Sequence, residues 1–228
     1  MPEELSDLNI EIVRTNRKKT ASLRLRDGEM QLIVPKRMSQ RRINEIIQSK
    51  AQWIRKTIDA DAKKPVYKPK SYNEGELFPF LGQNYSLKLA TGPIGWPTIE
   101  DDRIYVKAGD AAAIKTQIDA WYMRSATQVL IERTAHFGPL MNAEPASIKV
   151  KNYKSRWGAC SASGALTYNW RITLAPAAIV DYLVVHELAH LHHHNHSPNF
   201  WSCVEATMPD YKERNRWLKE NGYGLRVD

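Results

Sequence analysis

The chain has 228 residues, 43% of them hydrophobic, enough to bury a sizeable core in one large domain or two small ones; a disordered tail or a mini-protein is excluded. The formal net charge of +8 and pI near 9.4 favour anionic partners but fall short of the charge density of a nucleic-acid coat. The excess is uneven, with 17 basic and 6 acidic side chains in residues 11–70 against 13 and 10 in residues 111–228.

Two cysteines, Cys160 and Cys203, are too few for a disulfide framework and are not spaced as a C-x-x-C pair, so a reducing compartment is expected. The segment Met1–Glu11 is acidic and has no apolar run of the secretory type. The most apolar stretch, Ile172–Val185, is interrupted by Pro176 and Asp181 and is shorter than the roughly 20 apolar residues a bilayer span needs. These features together lead to the expectation of a soluble, cytoplasmic protein with no membrane partner.

In chain order, the segments NIEIV, SLRLR and MQLIV alternate apolar and polar residues around Asp27-Gly28, a hairpin dipeptide. Ser39 is placed to cap a helix to about Ala60, with Ile43, Ile46, Ile47, Trp53 and Ile54 on one side, and Lys63–Lys70 reads as an exposed connection. LFPFLG, YSLKLA and RIYVKAG then predict short strands, so residues 1–110 form a β-rich region with one helix. Residues 111–228 form the second region. Asp110 opens a helix to about His136, with an apolar side running from Ile114 and Ile118 to Val129 and Ile131. SIKVKNY and ALTYNWRITL predict two strands joined at Ser163-Gly164, the second setting Leu166, Tyr168, Trp170, Ile172 and Leu174 on its apolar face. From Ala177 to about His192 the pattern is helical, with Pro176 at its start.

That helix carries His186-Glu187-Leu188-Ala189-His190. Imidazoles at i and i+4 lie on one helix face about 5–6 Å apart at Cβ, so both can turn a nitrogen toward one ion at the ~2.0–2.1 Å of a zinc–nitrogen bond. Glu187, about 100° around the helix from His186, can reach the attacking water without being a ligand, the position of a general base. A catalytic zinc site takes three protein ligands and keeps an open position. His193 is excluded as the third, because on a continuing helix it stands about 10.5 Å along the axis from His186. His196, held in a turn just before the Ser197-Pro198 start of a new helix, is assigned instead, with Glu205 on that helix as the alternative.

The stretches Ser155–Cys160, Tyr168–Arg171, Asp181–His190 and Asn195–Trp201 together resemble the bacterial YgjP-like family, described as zinc metallopeptidases related to the SprT-like group. The signature spans about residues 151–201, and the β-rich N-terminal half fits the family's layout with weaker motifs. The resemblance implies an α+β fold, with the β-rich part followed by a compact zincin-like domain whose metal helix packs on a small antiparallel sheet. It also implies that His186, His190 and His196 bind Zn2+ and that Glu187 is catalytic. Ala159 departs from the serine associated with the motif.

In related zincins the substrate adds as a strand to a sheet edge, and the strand at about Ala165–Leu174 is the neighbour expected to receive it. Arg156, Asn169 and Arg171 are the polar residues expected near the metal to bind substrate or an oxyanion, although Arg156 is equally suited to pair with Asp181. Peptide or protein hydrolysis is the leading function. Hydrolysis of a nucleoside triphosphate is an alternative motivated by Lys151, Lys154, Arg156 and Arg171, weakened by the lack of a Gly-rich phosphate loop. A DNA-associated protease module, contacting nucleic acid through segment 11–70, is a third and less favoured reading.

Overall fold

The protein is described by a computed structural model over residues 10–26, 29–62, 68–92 and 95–227, and the chain divides into two compact units, 1–66 and 67–228. In the first unit, strands β1 (Ile10–Thr15), β2 (Ser22–Arg26) and β3 (Glu29–Pro35) form a sheet of order β1-β3-β2, followed by helix α1 (Gln40–Ala62). β2 and β3 pair antiparallel with Arg26 opposite Glu29, as the hairpin reading expects, while Asp27-Gly28 itself lies outside the described residues. The Oγ of Ser39 accepts the N–H of Arg42 at 3.3 Å and caps α1, which buries Ile43, Ile47 and Ile54 against Met30, Leu32 and Val34. Trp53 was expected on that stripe but is 47% exposed, because it sits one residue, about 100°, away from Ile54 around the helix. Of the expected connection Lys63–Lys70, residues 63–67 lie outside the described residues.

In the second unit, β4 (Leu77–Phe80), β5 (Gln83–Ala90), β6 (Thr98–Glu100) and β7 (Arg103–Lys107) form a sheet of order β4-β5-β7-β6. Helix α2 (Ala111–Leu140) follows, then β8 (Ser147–Lys151), β9 (Gly158–Cys160) and β10 (Ala165–Asn169) in a sheet of order β8-β10-β9. Helices α3 (Ala177–Ala189), α4 (Pro198–Thr207) and α5 (Tyr211–Asn221) complete the unit. Phe78, Leu87, Ile104 and Val106 share one core with Ile118, Tyr122 and Leu130 of α2 and Val184 and Leu188 of α3. The strands of residues 77–107, grouped by composition with the N-terminal region, thus pack with the histidine-bearing helix.

α2 is capped by Asp110, whose Oδ1 accepts from Ala113 N at 2.8 Å, and continues four residues beyond His136, through Gly138 and Pro139. The sheet beneath α3 is mixed. β9 is the antiparallel hairpin partner of β10, and β8 pairs in parallel along the other side of β10. The expected strand to Leu174 stops at Asn169, whose side chain accepts from Arg171 N at 3.2 Å and starts a 3-10 turn over Trp170–Leu174. Trp170, Ile172, Thr173 and Leu174 are all buried, so the period-2 alternation ends where this cap begins.

Three contacts fix α3. Arg133 of α2 grips Asp181 with two hydrogen bonds, 2.6 and 2.9 Å, binding the middle of α3 to α2. Leu81, in the β4–β5 turn, donates its N–H to Thr173 O at 2.7 Å. Leu81 and Gly82 have φ of 51° and 88°, the paired positive values of a two-residue hairpin turn, and a Cβ on Gly82 would stand 3.1 Å from the Cα of Pro176, where α3 begins. No helix among the described residues is long and apolar enough to cross a membrane.

Replacing Gly82 by Ala is expected to lower the unfolding free energy by about 1–2 kcal/mol, from the left-handed backbone cost, with the close approach to Pro176 adding to it. Urea denaturation measures this; a variant as stable as the parent contradicts the role given to the turn.

Candidate metal centre

α3 ends at Ala189, and His190 closes it as the C-cap. The chain then turns through His192–Asn195, and Ser197 caps α4 with its Oγ accepting from Phe200 N at 3.5 Å, Pro198 filling the first helical position. This turn returns His196 over the end of α3. One ring nitrogen from each of His186, His190 and His196 falls in a group whose members all lie within 4.8 Å of one another. The Nε2 atoms of His186 and His196 are 3.1 Å apart. Two nitrogens bound tetrahedrally to one ion at about 2.0–2.1 Å stand about 3.3 Å apart, so this donor set fits a single metal ion.

Each ring is held by its surroundings. His190 Nδ1 donates to His193 O at 3.0 Å, which fixes the tautomer that leaves Nε2 with its lone pair free. The fully buried Phe200 packs its ring 5.0, 4.5 and 4.8 Å from the rings of His186, His190 and His196. Trp201 stacks on His196 at 5.6 Å and on Tyr211 of α5 at 5.3 Å. Burial, with the neighbouring His190 and His196 as lesser causes, pushes His186 down to about 3, and burial also lowers His190. Both are therefore neutral, electron-pair-donating imidazoles at neutral pH.

Glu187 is only 4% exposed, and its Oε2 and the Nδ1 of His186 are buried atoms without a hydrogen-bond partner among the described residues. Burial raises the Glu187 carboxyl to about 8; a cation nearby would bring it down again. Its side chain crosses the backbone of Gly158 on β9, where a Cβ would lie 2.3 Å from Oε1 and 2.6 Å from Cδ. Only glycine allows α3 and β9 to approach this closely. His186 and Glu187 open on a cleft of about 270 Å³ also lined by Trp157, Gly158, Tyr182 and Asn215.

The other sequence candidates are placed differently. Arg156, Asn169 and Arg171 line an adjoining cavity, and none of them lines the cleft of His186 and Glu187. Asn169 is 3% exposed, and its Nδ2 donates to Tyr153 O and Arg156 O, both at 3.0 Å, so it braces the segment before β9. Asp181, considered as a partner for Arg156, is taken by Arg133. Glu205 is exposed on α4 with Lys212 at 3.5 Å, outside the histidine group. His192 Nε2 meets Met141 O at 3.0 Å, and His193 contributes its carbonyl. β10 is interior, flanked by β8 and β9, so the sheet edge beside Glu187 belongs to β9, a strand too short to register as an alternating pattern. Gly158 and Tyr182 lie within the stretches that carry the resemblance but were given no site role, and Asn215 and Lys219 were not singled out, since the two helices and the strand that bring these residues together are not neighbours in the chain.

The family described as YgjP-like, metallopeptidase domain, matches residues 19–221. No curated protein matches the chain. The crystal structure of the metallopeptidase zymogen of Pyrococcus abyssi abylysin is similar at 22% identity and a TM-score of 0.37, over 40% of this chain and 93% of that one.

Two outcomes are expected. Gly158→Ala should displace Glu187 and cost about 1–3 kcal/mol of stability, as overpacking does, while leaving the histidine group able to take up metal; calorimetry and metal analysis of the variant check this, and an unchanged melting curve contradicts it. In metal-free protein, a carboxyl raised from 4.5 to about 8 is deprotonated first in the unfolded chain as pH climbs, so the parent loses stability against Glu187→Gln across that interval. The difference between the two, measured by urea unfolding with chelator at pH 5 and pH 8, should shift in favour of the variant by on the order of 2–4 kcal/mol; a difference independent of pH contradicts it.

Proposed function

The chain belongs to the YgjP-like metallopeptidase family, and on that premise we propose that it is a zinc-dependent peptidase in which His186, His190 and His196 hold the metal and Glu187 is the general base. The observation that carries this reading is the convergence of three imidazoles at ligand spacing beside a buried carboxylate at the wall of an open cleft. A divalent cation held there supplies Lewis acidity, acidifying water and polarising a carbonyl. Glu187 takes the proton of the attacking water on its carboxylate and returns it to the leaving nitrogen. Its burial keeps competing solvent away and holds its basicity near the working pH.

The edge of β9 offers unpaired backbone groups to an extended peptide, which would lie across the cleft as an added strand beside Gly158. Tyr182, its hydroxyl pushed up to about 12 chiefly by burial, and Asn215 line the same cleft and would be the neutral donors to stabilise developing negative charge on the carbonyl oxygen. A second reading, hydrolysis of a phosphoanhydride such as a nucleoside triphosphate by the same residues, is favoured by one observation: the adjoining cavity is lined by basic side chains.

Glu187→Gln is expected to keep one equivalent of zinc and to lose about 10²–10⁴ in kcat, the range of a general base. A screen of peptides and nucleoside triphosphates with this variant as control measures it. Undiminished turnover by the variant contradicts the mechanism, and Glu187-dependent release of phosphate without peptide cleavage moves the assignment to the second reading.

A further inference from the structure

Beside the histidine cleft, and sharing Trp157, Leu218 and Lys219 with it, lies a second cavity of about 340 Å³. Five cationic side chains line it: Lys154 and Arg156 from the segment between β8 and β9, Arg171 from the 3-10 turn, Lys219 from α5, and Arg226. Among the described residues no Asp or Glu lines it. Of the carboxylates on α3, α4 and α5 and just before α5, Asp181 pairs with Arg133, Glu205 with Lys212 and Asp210 with Arg214, while Glu187, Glu213 and Glu220 form no ion pair with a described residue and are not among the residues lining this cavity. Among the described residues Lys154, Arg156 and Lys219 form no ion pair.

The charges of Lys154, Arg156 and Lys219 stand around one concavity, whose wall focuses their field on whatever enters. The cations are also organised. Asn169, buried, bonds the carbonyls of Tyr153 and Arg156 and so fixes the segment bearing Lys154 and Arg156. The Arg156 guanidinium lies over the Tyr153 ring at 5.5 Å, a cation–π contact that helps to hold it in place. Lys219, Trp157 and Leu218 line both cavities, so the anion site borders the cleft of Glu187.

We propose that this cavity is a specificity subsite for an oxyanion group, carboxylate or phosphate, carried by the same substrate molecule whose scissile bond lies over Glu187. The proposal rests on the cleft being the catalytic one, and it makes Lys154, Arg156 and Lys219 determinants of substrate choice. The test measures binding to the zinc-loaded Glu187→Gln protein by fluorescence anisotropy, so that failure of hydrolysis and failure of the subsite are separable. The probes are capped peptides of one length bearing Glu, phosphoserine, Gln or Lys at the same positions, with a nucleoside triphosphate as competitor.

The expected result is that Glu or phosphoserine peptides bind at least about tenfold tighter than Gln peptides, with the advantage shrinking as salt shortens the screening length below about 10 Å. Tighter binding of the phosphoserine peptide, or displacement by the triphosphate, assigns phosphate as the preferred group; tighter binding of the Glu peptide assigns carboxylate. Arg156→Glu and Lys219→Glu, both at exposed positions where folding is not at stake, should abolish the preference or reverse it toward Lys peptides while leaving zinc content unchanged. Equal affinity for Glu, phosphoserine and Gln peptides, or a preference untouched by both charge reversals, overturns the proposal.

Discussion

The Glu187 carboxylate passes across Gly158 at a distance no other residue would permit, and that single approach sets how close α3 lies to β9. Were the helix to stand further from the strand, Glu187 would be wetter, its carboxyl would fall toward the ordinary range, and the sheet edge would no longer border the cleft. Much of the remaining structure holds this spacing. The Arg133–Asp181 pair ties α3 to the long helix α2, the Leu81-Gly82 turn abuts the start of α3 at Pro176, and the Asn169 cap ends β10 so that the chain can turn up into the helix. Phe200 then sets the far side, its ring touching all three imidazoles from a helix whose start is fixed by Ser197 and Pro198.

This arrangement concentrates electrostatic cost in a small volume. A buried carboxyl is held in the protonated form that water does not favour at neutral pH, beside two half-buried imidazoles held neutral, and Oε2 of Glu187 and Nδ1 of His186 have no partner among the described residues. Unpaired buried polar groups are destabilising, and the aromatic packing around them, together with the ion pair at Asp181, offsets that cost. A divalent cation among the three imidazoles turns the same features to advantage, because neutral nitrogen donors and a nearby carboxylate are what such an ion stabilises. Most of the basic residues gather next door around Arg156 and Arg171, and of them Lys219 also lines the cleft of Glu187.

The histidine spacing was legible because an i, i+4 pair on a helix is a local property, and so was the Ser197-Pro198 start that returns His196 to the end of α3. The hairpin of β2 and β3 and the Asp110 cap of α2 were legible for the same reason. What escaped depends on contacts between distant segments. A three-residue strand such as β9 carries no periodic signal, so β10 was read as the partner for substrate although it lies in the middle of its sheet. Alternation in Trp170–Leu174 mimicked a strand because a 3-10 turn buried on several sides also presents apolar residues at every second position. Arg156 and Arg171 were read as part of a basic group near the motif, and only the fold shows that they line a separate cavity sharing Lys219 with the cleft.

In the function proposed, His186, His190 and His196 beside Glu187 hold one metal ion with a position left open. Cobalt(II) titration of metal-free protein, followed by visible absorption, tests it most directly, since tetrahedral nitrogen-ligated cobalt gives a far stronger d–d band than six-coordinate cobalt in water. The account predicts an intense band saturating at one equivalent, lost in His186→Ala, His190→Ala and His196→Ala and retained in His193→Ala, whose side chain lies outside the ligand group. Saturation at another stoichiometry, or a band that survives His196→Ala unchanged, would contradict it.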